Sequence, residues 1–240
     1  MPGCTVIGAL DQYADLSSVP AHRQLRGNNL VEHLRKAVPF AHVAVGGLDL
    51  EGYNFGYGYS IDTDMPPSYI DSYFAETMSM KDPIVTAGKT SATPLTEEEA
   101  YDLWSPPQRL LYMTQAHDIR NRILIPLSRN DAVYGAVCFT NGRPFTKDEF
   151  DFLITMAEPL HRAITKPLMD RFAASTLRLT AGELSCLRQA SHGMTSEEIA
   201  KEIPYTTDTI SSYLKTAAKK LGTSNRVQVV AEAIRRHLID

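Results

Sequence analysis

Apolar and polar positions recur at helical spacing through the C-terminal quarter of the chain. One apolar stripe consists of Leu184, Leu187 and Ala190, and another consists of Ile210, Leu214, Ala217, Ala218 and Leu221. Thr180 stands three residues before Glu183, which is the spacing of a capping box that begins a helix. Thr195 and Glu198 repeat that spacing, and Pro204 ends the short helix that they begin. The pattern therefore predicts three consecutive helices from Thr180 onward.

The polar side of the third predicted helix carries hydroxyl and lysine side chains, namely Thr209, Ser211, Ser212, Lys215 and Lys219. A short helix, a turn and a helix with such a face are typical of a helix-turn-helix whose second helix enters the DNA major groove. Lysines neutralise phosphates, and short hydroxyls form hydrogen bonds with base edges. The spacing by itself also fits a three-helix bundle whose polar face is merely solvated.

The residues before Thr165 combine helical spacing with strand patterns. Helices are predicted from Asn28 or Asn29 to Pro39, from Pro66 or Pro67 to Met78 and from Thr146 to about Ile164. A further helical region is predicted from Thr96, which has capping-box spacing with Glu99, to Ala116, with an interruption at Pro106 and Pro107. Strands are predicted at His42 to Leu50, Ile123 to Leu127 and Val133 to Thr140, the last two forming a hairpin. Helices at both ends with strands between them predict an α/β/α sandwich with an antiparallel sheet, a fold that can enclose a small-molecule cavity.

The predicted fold class is therefore α+β, with a small all-α helix-turn-helix domain behind the sandwich. We assign residues 1–165 to a ligand-sensing and dimerisation domain, residues 166–178 to a linker and residues 179–240 to the DNA-binding domain. From Thr176 onward the chain has nine Lys and Arg against seven Asp and Glu, whereas the rest has 15 against 21. A basic module on an acidic body favours a specific DNA-binding protein over one that coats nucleic acid nonspecifically.

Composition excludes several other classes of protein. The three cysteines are widely spaced, which speaks against a zinc site and against a disulfide framework. No run approaches 18 apolar residues and no signal peptide is recognisable, so we expect a cytoplasmic protein that does not bind membranes. We find no nucleophile beside a base, no phosphate loop and no cluster of metal ligands. The sequence therefore predicts a protein that is not an enzyme and has no metal and no cofactor.

Specific residues of the last quarter resemble the DNA-binding domain of the LuxR family of bacterial transcription regulators. They are Leu179, Thr180, Glu183, Leu187, Gly193, Thr195, Glu198, Ile199, Ala200, Thr209, Ile210, Leu214, Lys219, Lys220, Leu221, Gly222 and Arg226. The segment from Ala233 to Ile239 is similar to the TraR branch of that family. Three residues depart from the family pattern: Gly182 and Ser185 replace charged residues, and Tyr213 replaces a histidine.

The resemblance implies that the helix beginning near Thr207 reads bases and that the last helix, Arg226 to Leu238, pairs two copies into a two-fold dimer. The residues expected to contact DNA are Thr207, Ser211, Ser212, Lys215 and Lys219. Of these, Ser211, Ser212 and Lys215 are expected at base edges and Lys219 at a phosphate.

A second candidate site lies in the first domain. Tyr69 and Tyr73 are four residues apart on one face of a predicted helix, and Asp82 with Pro83 follows in its exit turn. Two phenols and a carboxylate can converge on a ligand, although packing tyrosines and a turn-opening Asp-Pro pair explain the same residues. The run from Pro67 to Tyr73 together with Asp82 to Val85 resembles the autoinducer-binding domain of LuxR-type quorum-sensing regulators.

That resemblance implies an N-acyl-homoserine lactone as ligand. Tyr73 is then expected to donate to the acyl carbonyl, Asp82 to accept from the amide N–H, and Tyr69 to replace a tryptophan that holds the lactone carbonyl. Cys138, or Thr140 two residues on, is expected to face the same cavity. The departures from the family are Tyr69 itself, Leu95 near the place of a second tryptophan, and Arg122 in place of glycine.

We therefore expect a dimeric regulator that binds palindromic double-stranded DNA under the control of a small autoinducer. RNA polymerase or another LuxR-type regulator are further expected partners. The alternative is a LuxR-like orphan or inhibitory regulator that responds to a different ligand or to none and acts by pairing with another regulator.

Overall fold

The computed structural model describes residues 22–49, 55, 61–236 and 238–239, which divide into two compact units after Thr165. The strands of the first unit are β1 (His22–Gln24), β2 (His42–Gly47), β3 (Ile61–Thr63), β4 (Leu95–Thr96), β5 (Ile123–Arg129) and β6 (Ala132–Thr140). Its helices are α1 (Asn29–Ala37), α2 (Pro67–Ala75), α3 (Pro83–Thr90), α4 (Glu97–Leu103) and α5 (Gln108–Ala116), with a 3-10 turn at Met78–Met80. Helix α6 (Lys147–Thr176) crosses the boundary, and the second unit contains α7 (Ala181–Ser191), α8 (Ser196–Glu202), α9 (Thr207–Lys220) and α10 (Arg226–Arg235).

The described strands form one sheet in the order β1-β3-β2-β6-β5-β4. Neighbouring strands are antiparallel except β1 and β3, which are parallel with His22 opposite Ile61. The predicted fold class is confirmed, but the sheet is mixed and the prediction of a wholly antiparallel sheet is wrong. Strand β1 pairs with a segment almost forty residues away, and a pairing so distant leaves no local pattern in the sequence.

The two faces of this sheet carry side chains of different size. The face that packs with α1 and α6 presents Val43, Val45, Ile123, Ile125, Val137 and Phe139. Because side chains alternate along a strand, the opposite face presents the intervening residues Ala44, Gly46, Leu124, Ala136 and Cys138. The bulky residues fill the first layer against helices, whereas the mostly small residues leave room between the sheet and helices α2 and α3.

Helix α6 is longer than the sequence pattern indicates. We expected it to end at about Ile164 and residues 166–178 to form a linker, yet the backbone remains helical to Thr176. Leu160, Ile164 and Leu168 continue one buried stripe at a spacing of four residues across the boundary. The expectation of a helix end near Ile164 is therefore wrong, because the apolar spacing continues past that residue.

The second unit contains the capped helices that the sequence predicts. The Thr180 N–H donates to Glu183 Oε2 at 2.7 Å, and the Glu183 N–H donates back to Thr180 Oγ1 at 3.2 Å. Thr195 and Glu198 form the same reciprocal pair at the start of α8. The apolar stripes of α7 and α9 meet in one core together with Ile199 of α8 and Val229 of α10. The predicted order of short helix, turn and longer helix is confirmed.

Candidate functional site

A cavity of about 100 Å³ lies between the face of small side chains on the sheet and helices α2 and α3. Its walls are mostly apolar and include Ala44, Gly46, Ile70, Ile84 and Leu124. Its polar residues come from five separate places in the chain: Tyr69 and Tyr73 on α2, Ser79 in the 3-10 turn, Asp82 before α3, Arg122 before β5 and Cys138 on β6. Four of the five residues predicted to contact a ligand are thus brought together, namely Tyr69, Tyr73, Asp82 and Cys138.

Thr140 is the predicted ligand residue that does not line this cavity. It is fully buried, and its Oγ1 accepts a hydrogen bond from the N–H of His42 at 3.2 Å. Two residues along a strand correspond to about 6.6 Å, so Thr140 lies one pleat repeat beyond Cys138. Of the two alternatives, Cys138 or Thr140, it is Cys138 that lines the cavity, while the Thr140 hydroxyl bonds to the backbone at the start of β2.

Asp82 occupies the N-cap of α3. Its Oδ1 accepts the N–H of Ile84 at 3.3 Å, and Pro83 follows at the first helical position, where a missing N–H costs nothing. The carboxylate is completely buried. A buried carboxylate requires hydrogen-bond donors around it, and the local sequence supplies only the helix N-terminus.

Arg122 and Tyr73 supply the remaining donors. Arg122 forms a two-pronged contact with Asp82, from Nη1 to Oδ2 at 2.6 Å and from Nη2 to Oδ1 at 3.2 Å. The Tyr73 hydroxyl donates to the same Oδ2 at 2.9 Å. Tyr73 and Asp82, two of the residues that the resemblance assigns to ligand contact, are therefore bonded to each other, and Asp82 is also bonded to Arg122.

Two further residues hold the guanidinium of Arg122. Its Nε donates to Glu97 Oε1 at 2.7 Å, and its Nη2 donates to the hydroxyl of Tyr101 at 3.0 Å. Burial opposes the charge on Arg122, but Asp82 and Glu97 together raise its pKa well above the ordinary value. Arg122 was recognisable from the sequence as a departure from the family pattern, whereas its partners Glu97 and Tyr101 were not predicted. A buried arginine needs acidic partners, and that requirement was the available signal.

Tyr69 and Cys138 present the other polar atoms of the cavity. The Tyr69 hydroxyl has no hydrogen-bond partner among the residues that the structure describes, and its ring centroid lies 5.7 Å from that of Tyr73. Burial raises the pKa of this phenol above its ordinary value. Burial also raises the pKa of the Cys138 thiol to about 12. Both groups are therefore uncharged near pH 7.

The candidate DNA-contacting residues lie on α9. Ser212, Lys215 and Lys219 are exposed and share one side of the helix, whereas Thr207 is half-buried at its first position. Ser211 is also half-buried, and its hydroxyl lies 3.4 Å from Oγ of Ser196 at the start of α8. The structure thus brings three of the five predicted residues onto an open face and directs Ser211 toward α8.

The described part of the chain has neither a group of side chains suited to a metal ion nor a helix suited to a membrane. No three His, Cys, Asp or Glu side chains there come close enough together to hold a metal ion. None of the described helices combines the length and apolar character needed to cross a membrane.

Two family models match the chain. Residues 28–164 match the model described as "Autoinducer binding domain", and residues 177–233 match the model described as "Bacterial regulatory proteins, luxR family". The first match covers strands β2 to β6, the cavity and most of the helices around it, and the second covers α7, α8, α9 and most of α10.

Individual relatives share less than a third of their residues with this chain, but the similarity extends over most of its length. The quorum sensing-dependent transcriptional regulator RpaR of Rhodopseudomonas palustris is 29% identical over 72% of this chain and 72% of its own. The quorum sensing-dependent regulator VjbR of Brucella abortus is 27% identical over 73% and 72%. The crystal structure of Escherichia coli SdiA has a TM-score of 0.45 and 20% identity, covering 87% of this chain and 89% of its own. Because the autoinducer-binding model alone spans more than half of its length, this chain belongs to the luxR family of bacterial regulatory proteins, with an autoinducer-binding domain in front of the helix-turn-helix.

Proposed function

We propose that this chain is a dimeric transcription regulator that binds a palindromic operator through α9 and is controlled by a small molecule held in the N-terminal cavity. The observation that carries the proposal is the presence, on one chain, of a mostly apolar cavity with a polar end and an open helix face of hydroxyls and lysines. The relatives RpaR and VjbR are described as quorum sensing-dependent, and we extend that role to this chain. The protein then acts by binding in the bacterial cytoplasm and not by catalysis.

The proposed dimer is supported by the surface of α10. Val227 and Ile234 are apolar residues with 78% and 42% of their surface exposed, and they lie seven residues apart on one side of this helix. A second copy packed against this side through a two-fold axis removes both side chains from water. Two recognition helices related in this way reach half-sites about 34 Å apart, one turn of DNA.

Selection of operators from a random duplex library with the purified full chain tests the DNA-binding part of this proposal. We expect the enriched sequences to contain a palindrome whose half-sites are centred about 10 base pairs apart. Sedimentation of the complex is expected to show two copies of the chain for each palindrome. A chain that binds selected and random duplexes equally well contradicts the proposal.

The ligand is the second part of the proposal. The N-acyl-homoserine lactone implied by the family resemblance suits the apolar walls, since each buried methylene contributes about 0.8 kcal/mol. Its amide N–H, however, needs Asp82, and Asp82 already accepts hydrogen bonds from Arg122, Tyr73 and Ile84. This geometry favours the alternative as far as the ligand is concerned: a regulator of the same family that responds to a different ligand or to none.

Mass spectrometry of organic extracts from the protein purified out of its native host separates these possibilities. A copurifying acyl lactone supports the ligand that the resemblance implies. A different copurifying small molecule supports the alternative ligand. If no small molecule is recovered and the purified chain still binds its selected operator, the result supports a regulator that needs no signal molecule and acts through RNA polymerase or another LuxR-type partner.

A further inference from the structure

We infer that Arg122 determines which ligand the cavity accepts. Its guanidinium occupies the position at Asp82 that a hydrogen-bond donor of the ligand would otherwise take. The cavity is then left for a small, uncharged and largely apolar molecule whose hydrogen-bond acceptor pairs with the Tyr69 hydroxyl. This inference rests on the proposed sensor role of the N-terminal unit and specifies its ligand class.

The carboxylate of Asp82 already accepts as many hydrogen bonds as it can. A carboxylate offers about four lone-pair sites. Oδ2 accepts from the Tyr73 hydroxyl and from Arg122 Nη1, and Oδ1 accepts from the Ile84 N–H and from Arg122 Nη2. These four donors fill the carboxylate, so an amide N–H of a ligand finds no acceptor there unless one of them is displaced.

Displacing Arg122 from Asp82 costs free energy, because the whole ion-pair cluster is largely buried. The side chain of Arg122 is 4% exposed, and those of Asp82 and Glu97 are 0% and 15% exposed. Moving Arg122 away leaves two carboxylates without their shared counter-charge in a largely buried site. Losing one partner of a buried ion pair costs more than a single ligand hydrogen bond returns.

The charge, the remaining donors and the volume of the cavity restrict the ligand. Asp82, Glu97 and Arg122 together carry one net negative charge, which disfavours an anion. A cationic head group needs carboxylate oxygens that are already bonded. The remaining polar donors among the described lining residues are the hydroxyls of Tyr69 and Ser79 and the weakly donating Cys138 thiol, beside apolar walls such as Ala44 and Leu124. A volume of about 100 Å³ is below the roughly 300–1,000 Å³ typical of sites for drug-sized ligands, so the ligand is small.

A comparison of two ligand series with the wild-type chain tests the inference without any substitution. Medium-chain methyl ketones have an apolar body and one acceptor, whereas N-acyl-homoserine lactones of similar length add an amide donor and a polar ring. Calorimetric titration and thermal shift are expected to show binding of the ketones and at least tenfold weaker binding of the lactones. Equal or tighter binding of the lactones, or no binding of any ketone, overturns the inference.

Two variants assign this selectivity to named residues. Tyr69→Phe is expected to weaken ketone binding roughly threefold to tenfold, since it removes one hydrogen bond, while Tyr112→Phe, on the exposed surface of α5, leaves it unchanged. Arg122→Gly frees Asp82 and is expected to make thermal stability depend on an added acyl lactone that does not shift the wild type. An unchanged ketone affinity in Tyr69→Phe overturns the role of Tyr69.

Failure of this inference is distinguishable from failure of the proposed function. Operator selection is performed on the same wild-type preparation. A chain that selects a palindrome but binds lactones in preference to ketones retains the proposed function and loses the role of Arg122. If Arg122→Gly does not fold even with lactone present, the wild-type comparison of ketones with lactones still decides the question.

Discussion

At the scale of single residues, two departures from the family pattern prove to be one adjustment. A Cβ on Gly182 would lie 2.7 Å from Cε2 of Tyr213 and 3.3 Å from the hydroxyl of Tyr205. The rings of Tyr205 and Tyr213 pack edge to face with centroids 5.2 Å apart. Glycine at position 182 therefore makes room for tyrosine at 213, and the larger ring fills the space that a side chain on α7 would otherwise occupy.

This coupling predicts the effect of Gly182→Ala. Alanine is the better helix former by roughly 1 kcal/mol, so propensity alone stabilises the variant. We expect instead a net loss of about 1 kcal/mol, because the new methyl group displaces Tyr213. Amide hydrogen exchange of α7 and α9 measures the change. In a Tyr213→Ala background the same substitution is expected to stabilise, and equal effects in both backgrounds contradict the steric explanation.

A second residue-scale prediction concerns His161, which is buried beneath β2. Its Nε2 lies 3.2 Å from the carbonyl oxygens of both Gly46 and Gly47, and burial lowers its pKa. The unfolded chain takes up this proton at about pH 6.5, whereas the folded chain resists it to lower pH. Stability is therefore complete above pH 6.5 and falls below it, with a limiting slope of about 1.4 kcal/mol per pH unit.

Urea unfolding of the wild type and of His161→Gln between pH 7.5 and 5.5 measures this effect. Glutamine can donate to the same carbonyl oxygens but does not titrate. The difference in unfolding free energy between the two proteins is expected to shrink or reverse as the pH falls. A difference that stays constant over this range rules out His161 as the titrating group.

At the scale of elements, two adjacent lysines of α9 lie in different surroundings. Successive residues of a helix point about 100° apart, so Lys219 and Lys220 leave the helix in different directions. Lys219 is exposed on the side that carries Ser212 and Lys215. The Nζ of Lys220 contacts Glu183 Oε2 at 2.7 Å and Oε1 at 2.8 Å, which connects α9 to the cap of α7. Glu183 is 3% exposed.

This geometry predicts opposite phenotypes for two neighbouring substitutions. Lys219→Ala is expected to weaken binding to all duplexes similarly and to reduce the salt slope by about one unit, without loss of stability. Lys220→Ala is expected to destabilise the second unit by roughly 1–3 kcal/mol, because it leaves the buried Glu183 carboxylate with fewer donors. Fluorescence anisotropy at several salt concentrations and urea unfolding separate the two outcomes. Equal salt slopes for wild type and Lys219→Ala refute the phosphate contact.

Lys215 offers a third comparison on the same face. If it reaches a base edge, Lys215→Ala relaxes sequence choice as well as weakening binding, with a loss of about 1–3 kcal/mol confined to the preferred operator. Competition between selected and random duplexes measures this ratio. A loss that is the same for both kinds of duplex reduces Lys215 to a second phosphate contact.

At the scale of the whole molecule, the chain joins a sensing unit to a DNA-binding unit, and the proposed dimer connects two such chains. Ile234→Asp is expected to weaken dimerisation on the operator by at least tenfold, because it places a charge in the proposed apolar contact of α10. Leu30→Asp is a matched control, since Leu30 on α1 has 38% of its surface exposed against 42% for Ile234. Sedimentation and cooperative operator binding measure the effect. Cooperative binding that survives Ile234→Asp excludes this surface.

Sequence and structure agree most closely where the signal is local. The capping boxes at Thr96, Thr180 and Thr195 were predicted and are present, because each depends on residues three positions apart. The hairpin of β5 and β6 was predicted for the same reason. The parallel pairing of β1, the extension of α6 to Thr176 and the bond of Thr140 to His42 were not predicted, since they depend on partners or packing beyond the local pattern.

The sequence by itself determined where most of the helices and the central hairpin lie, which residues cap several of the helices and to which family the chain belongs. Those features follow from backbone geometry and apolar spacing over a few residues. Only the tertiary structure decided that Arg122 meets Asp82, forty residues away, and Glu97, twenty-five residues away. The packing of α3 and α4 against the sheet brings these charges together, and burial away from water requires them to pair. As a result, Arg122 occupies the acceptor positions of Asp82 at the polar end of the cavity.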